Sequence, residues 1–357
     1  MFFFALNIIL PSWLRPDKSY LQPSNFTGKR YAVLLAGSER FDNYRHQSDV
    51  FMTRQLLLYR ATPKKNIITF AYDDIADDPS NPYKGKVFNI LKNVDVYPGS
   101  DKIDYRGKNV TVANFFGALT GCTKESKWNK NNCTINGPVL PSTSKDNVFI
   151  LYVDHGFKGN ICMPGGAHIS ANQLKLAVEA MKKKGNFKRL FILIEACFSG
   201  SVGEVFDGMK DVAVMTAANG DESSYSACRI KGNIYVSDEM MYNYHKLAMK
   251  EPAATIRRLY EYTKSKTKKS HVQFFGDKSM LDVKIDEFLG FSGPIDASTN
   301  AELLAMDDTL PQANHTLTRL YHGFHVDKDK KLVKRYYAEK NRTRLSERIF
   351  QRILKPY

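Results

Sequence analysis

Arg189-Leu-Phe-Ile-Leu-Ile-Glu195-Ala196-Cys197-Phe198-Ser199-Gly200-Ser201 is an apolar run that stops at a carboxylate and a thiol, then turns. Val148-Phe-Ile-Leu-Tyr-Val-Asp154-His155-Gly156 has the same form, with an imidazole and a glycine at its end. Uninterrupted apolar runs of this length suit strands buried on both faces of a parallel sheet. If the two strands are neighbours, His155 and Cys197 emerge together at the carboxyl edge, where open α/β sheets place their sites.

The rest of the chain alternates in the same way. Arg30–Gly37, Asn66–Tyr72 and Asp211–Ala217 read as further strands, and Ser270–Asp277 as a last one. Helices are expected over about 47–59, over 111–120 with Thr111 as cap, and over 170–183 with Ser170 as cap. Residues 80–110 read as irregular, 121–146 as a surface insertion and 156–166 as a Gly-rich loop. Residues 233–264 read as helical with a break at Pro252. Strand–helix alternation predicts right-handed βαβ units and helices on both faces of the sheet.

At 357 residues the chain can bury a sizeable core. Its formal charge of +15 raises nucleic-acid binding, but there is no zinc-finger spacing, RNP-like motif or P-loop. Part of the excess lies in Asp327–Tyr357, which holds eleven Lys/Arg against four Asp/Glu. A basic helical segment docking on an acidic surface of its own domain accounts for that, and no nucleic-acid partner is expected. The five cysteines form no CxxC pair, so no metal site is expected. Cys122 and Cys133 flank a polar loop and can form a disulfide; free thiols throughout are the plainer alternative. Asp73, Asp74, Asp77 and Asp78 lack EF-hand spacing and read as a solvated acidic loop.

Met1–Trp13 has the form of a short secretory h-region, without a basic start; an N-terminal core strand is the alternative. Sequons at Asn25, Asn109, Asn132, Asn314 and Asn341 favour the secretory route. No later run approaches the ~20 apolar residues of a membrane span, so none is expected in the mature chain.

A thiol beside an imidazole is the minimal kit for nucleophilic acyl transfer. Cys197 would attack a carbonyl, and His155 would accept a proton and return it to the leaving amine. The N–H groups of Gly156 and Cys197 would face the oxyanion. Backbone N–H groups and a following helix N-terminus would favour thiolate at Cys197. Taken singly, a buried Cys or His is more often core. Two at equivalent strand ends, each followed by small residues, point to chemistry.

Here the chain resembles the legumain family of cysteine peptidases, the asparaginyl endopeptidases or family C13, of the caspase-like clan. The matching blocks include Ala32–Ser38, Asn43-Tyr-Arg45-His46, Tyr72–Ile75, Asp95–Tyr97, Asp104-Tyr105 and Val110–Phe116. They continue through Asp154-His155-Gly156, Glu195-Ala196-Cys197, Ser199–Ser201, Glu222–Tyr225 and Ser270–Val272. The resemblance implies an α/β, caspase-like three-layer sandwich over 30–292, after a leader and linker (1–29). It also implies a linker and basic helical prodomain-like segment (293–357) able to inhibit in cis.

It further implies a dyad of His155 and Cys197, with Asn43 orienting the histidine, acting on protein and peptide substrates without cofactor or metal. The implied pocket for Asn, and for Asp at lower pH, is built from Arg45, His46, Glu195, Ser223, Ser224 and Asn233. An amide side chain offers one acceptor and two donors, so a cation and a carboxylate together satisfy it. An ordinary Arg45–Glu195 ion pair is the plainer reading of those two. The implied compartment is the secretory pathway, a lysosome or a vacuole.

Three positions depart from the family pattern. Phe157 and Phe198 replace Gly and Glu beside the His and Cys, and Gly232-Asn233 stands where Gly-Asp is usual, with Asp238 able to stand in. Two further expectations stay open: a peptide ligase or transamidase of the same chemistry, and a catalytically impaired peptide-binding relative.

Overall fold

The computed structural model describes residues 19–91, 93–121, 135, 137–231 and 234–292. The leader-like stretch, the Cys122–Cys133 loop, Asn233 and the basic segment from 293 onward lie outside the described residues.

The core is a seven-stranded sheet built on β1 (Arg30–Ala36), β2 (Ile67–Ala71), β3 (Tyr105–Arg106) and β4 (Asn147–Val153). Three more strands complete it: β8 (Arg189–Glu195), β9 (Val212–Thr216) and β12 (Gln273–Gly276). Their order is β12-β9-β8-β4-β1-β2-β3, parallel except for β12, which runs antiparallel to β9. All seven residues of β4 are buried, as its unbroken apolar run demands. The chain winds from β1 outward through β2 and β3, then returns to the far side of β1 with β4. That reversal is the point in an open sheet where a crevice forms at the carboxyl ends.

Two apolar layers flank the sheet. One face packs on α1 (Tyr44–Tyr59), α5 (Glu239–Lys250) and α6 (Ile256–Lys266); the other packs on α2 (Val112–Thr120) and α3 (Ala171–Lys184). Strand alternation divides the sheet between them. Leu34, Phe149 and Leu151 face the first layer, while Val33, Val148 and Ile150 face the second. The expected caps are present. Thr111 accepts from the Asn114 N–H, and Ser170 forms a capping box with Gln173.

Three local readings change. Residues 233–264 are not helical from the start: β11 (Ile234–Asp238) pairs antiparallel with β10 (Ser226–Ile230) before α5 begins. The inward Ile234 and Val236 serve that hairpin, and tertiary pairing overrides the helical reading. The Gly-rich loop is a small antiparallel sheet of β5 (Gly156–Phe157), β6 (Asn160–Cys162) and β7 (His168–Ser170). Helix α1 starts at Tyr44, earlier than expected, so Arg45 and His46 sit in its first turn. It is buried almost all round because it lies between β1, β2 and β4 on one side and β11 on the other. Buried polar side chains on α1 must therefore find partners inside the protein.

Candidate active site

Parallel pairing of β4 with β8 sets Val153 opposite Glu195, and Asp154 N–H donates to Glu195 O at 3.0 Å. His155 and Cys197 each lie two residues beyond this last pair, in step on neighbouring strands. The two backbones touch closely. A Cβ on Gly156 would sit 2.4 Å from Cys197 O and 3.2 Å from Ala196 Cβ, so only glycine fits. Cys162 N–H donates to His155 O, which marks a hydrogen-bonded pair across β5 and β6. By the antiparallel alternation Gly156, opposite Ile161, is a non-hydrogen-bonded position, so that ladder does not consume its N–H.

The carboxyl end of β1 supplies the next group. Asn43 immediately precedes α1, and its Oδ1 lies 2.8 Å from His155 Nε2. Its Nδ2 donates to Glu39 O at 2.9 Å, which fixes the amide so that Oδ1 faces the imidazole. Nε2 is then the ring nitrogen that donates to Asn43, and when the imidazole is neutral Nδ1 is the basic one.

Cys197 is buried, and its thiol donates to Ser224 O at 3.9 Å while Ser224 Oγ lies 4.0 Å from Sγ. Burial pushes the thiol up to about 12, against the smaller downward pull of hydrogen bonds from Ser224 and Ser223. The expectation of a thiolate-favouring site is therefore not met. The helix after Cys197, α4 (Gly200–Gly203), is a single turn, too short to offset desolvation. Phe198 adopts φ 56°, the left-handed region that crowds a Cβ, at a cost of about 1–2 kcal/mol. Its N–H donates to Glu222 O at 2.8 Å. Glu222 in turn accepts from Asn219 N–H at 2.9 Å and His271 N–H at 2.7 Å, which anchors the Ser223–Ser224 turn beneath the sulfur.

Arg45, His46, Glu195 and Ser224 are all buried around one spot, with Ser223 half-buried at its edge. Arg45 Nε donates to Asp238 Oδ1 at 2.8 Å, while Nη2 is buried and has no hydrogen-bond partner. Burial and then the Asp238 charge push the Glu195 carboxyl well above its ordinary range; a Ser224 hydrogen bond and Arg45 pull the other way. His46 Nδ1 lies 2.8 Å from Ser38 Oγ and 3.5 Å from Asp154 Oδ1, and its ring stands edge-on to His155 with centroids 4.8 Å apart. His46, Asp154 and His155 offer nitrogen and oxygen atoms within 4.8 Å of one another. Ligands around one tetrahedral zinc lie about 3.3 Å apart. One of these separations, His46 Nδ1 to Asp154 Oδ1 at 3.5 Å, is close to that spacing, and the His46 ring packs edge-on against His155.

The sequence reading gave no role to Asp49, Ser38, Asp154 or Glu222. Asp49 lies one helical turn from Arg45, a spacing that places both on one face of α1 and could have flagged it.

The family model for the peptidase C13 family matches residues 30–291. This chain belongs to the peptidase C13 family. It is 35 % identical over 294 residues to the vacuolar-processing enzyme beta-isozyme of Arabidopsis thaliana, covering 76 % of this chain and 58 % of that one. It is 33 % identical over 301 residues to the hemoglobinase of Schistosoma japonicum, covering 81 % and 68 %. Identity to legumain of Rattus norvegicus is 33 % over 297 residues, covering 82 % and 66 %. The C13 chain thus spans between 58 and 68 % of the length of these curated relatives. Among solved structures, caspase-1 from Spodoptera frugiperda is similar at 13 % identity and a TM-score of 0.38, covering 74 % of this chain and 91 % of that one. The α/β assignment stands on the sheet itself, not on that likeness.

Proposed function

We propose that this C13 chain is a cysteine endopeptidase that cleaves peptide bonds after Asn through a thioester. The observation that carries this reading is the register of β4 and β8, which brings His155 and Cys197 out side by side at the carboxyl edge. As the bound carbonyl approaches, the Cys197 proton passes to His155 Nδ1 and sulfur bonds to the carbonyl carbon. The oxyanion accepts a hydrogen bond from the Gly156 N–H. The C–N bond then breaks, and His155 returns its proton to the leaving amine. Water, deprotonated by His155, attacks the thioester and restores the thiol. A thiol held at about 12 makes the proton transfer concerted with attack, because little free thiolate exists beforehand.

Asn selectivity follows from a buried donor and a buried carboxyl that burial raises toward its neutral form. Arg45 Nη2 can donate to the amide oxygen, and the carbonyl oxygen of the Glu195 carboxyl can accept from the amide NH2. Residues that lack the amide leave the buried Arg45 Nη2 unpaired. The names of the vacuolar and legumain relatives support work in a vacuole or lysosome. A fluorogenic Asn-ending peptide tests the reading after acid treatment. Wild type should cleave it, and Cys197→Ala and His155→Ala should not. A silent wild type, or an active Cys197→Ala, overturns it.

A further inference from the structure

A pocket that must accept a neutral amide cannot hold an uncompensated cation, because a bare buried charge would favour a carboxylate ligand. Arg45 is 1 % exposed, and its ion pair is with Asp238 at the end of β11. Glu195, buried on the other side, is held toward its neutral form by burial and by the Asp238 charge. Asp49 is pushed the same way, again by burial first and Asp238 second. Asp238 is thus the carboxylate paired with the guanidinium, and burial together with its charge raises both Asp49 and Glu195.

Asp238 is itself held in place. Its backbone N–H donates to Asp49 Oδ2 at 3.0 Å, and Ser237 Oγ donates to Asp49 Oδ1 at 2.6 Å. Asn89 Nδ2 also donates to Asp49 Oδ1, at 2.8 Å. Asp49 therefore ties the end of β11 to α1, the helix that carries Arg45. Arg45 Nε is spent on Asp238 while Nη2 is left to bind.

We infer that Asp238 is a specificity-determining residue of this pocket: it neutralises Arg45 so that Asn is taken in preference to Asp, with Asp49 as its positioning residue. This rests on the peptidase reading above and differs from a direct contact between Asp238 and the substrate amide. A direct acceptor would serve Asn binding only. A counter-charge also excludes Asp, so its removal should admit Asp.

The test compares kcat/KM for matched Asn-ending and Asp-ending fluorogenic peptides. Acid-treated full chain is used at one pH of about 6, where a free Asp side chain is ionised. Asp238→Asn keeps the shape and removes the charge; the Asp-to-Asn ratio should rise about tenfold or more over wild type. Asp49→Asn keeps Ser237 and Asn89 in contact but cannot accept from the Asp238 N–H at the same atom. It should move the ratio the same way by a smaller factor, with thermal unfolding confirming that it folds. A merely structural role would lower both substrates together. An unchanged ratio in folded Asp238→Asn overturns the inference, and so does loss of Asn cleavage with no relative gain for Asp. Should Asp238→Asn fail to fold, an unchanged ratio in Asp49→Asn overturns it alone. Wild type inactive on both peptides would overturn the peptidase reading, and this inference with it.

Discussion

His155 Nε2 lies 2.8 Å from Asn43 Oδ1, and a second bond from Asn43 to Glu39 O keeps that oxygen pointed at the ring. One buried amide therefore sets the tautomer of the histidine expected to move the proton. Asn43→Ala should leave KM nearly unchanged and lower kcat about ten- to a hundredfold, the size of one lost buried hydrogen bond. Steady-state kinetics on an Asn-ending peptide checks this; a change confined to KM would place Asn43 in substrate binding instead.

The Cys197 thiol, raised to about 12 from an ordinary 9.0, should alkylate slowly at neutral pH. Its rate with iodoacetamide should keep climbing with pH past 9, without a plateau near neutrality. Peptide mapping follows the modified cysteine. A plateau below about pH 8 would mean that His155 and Cys197 already exist as an ion pair in the resting protein.

Glu195 gives a stability prediction with a definite sign. Its carboxyl is raised in the folded state, above the 4.5 of an exposed group, chiefly by burial. Between those two values the folded protein holds more protons than the unfolded chain, so stability falls as pH rises from about 4.5 through the folded value. Glu195→Gln removes that titration. The melting-temperature gap between variant and wild type should shift in the variant's favour on going from pH 4 to pH 7. A gap that is flat with pH would show that Glu195 is not held protonated.

Gly156→Ala places a methyl 2.4 Å from Cys197 O, where the neighbour is backbone and cannot swing aside. Strand β5 and the Cys197 turn must separate, at a cost of about 1–3 kcal/mol. Activity should fall well beyond what the lost stability explains. A variant with wild-type kinetics would mean that these strand ends are looser than their packing indicates.

Much of this arrangement was legible in the residues. The two apolar runs ending in His155-Gly156 and Cys197-Phe198 placed both side chains at the ends of neighbouring strands, since burial on both faces leaves a strand little choice of period. Ser170 and Thr111 announced their helices through caps, which are local chemistry. The β10–β11 hairpin was not legible, because Ile234–Asp238 becomes a strand only through its partner Ser226–Ile230. Asp49 escaped notice for a similar reason: an Asp on a helix reads as solvated until β11 is laid across it. The thiol's resting state was also misread, because burial outweighs the short turn that follows it.

The most direct measurement is the site of covalent capture by an Asn-ending peptide that carries an electrophilic ketone, read by intact mass and peptide mapping after acid treatment. One probe should add, at Cys197, with little addition of the matching Gln-ending probe and none to Cys197→Ser. Addition at Cys162 or Cys228, equal addition of both probes, or none at all would contradict a Cys197–His155 peptidase selective for Asn.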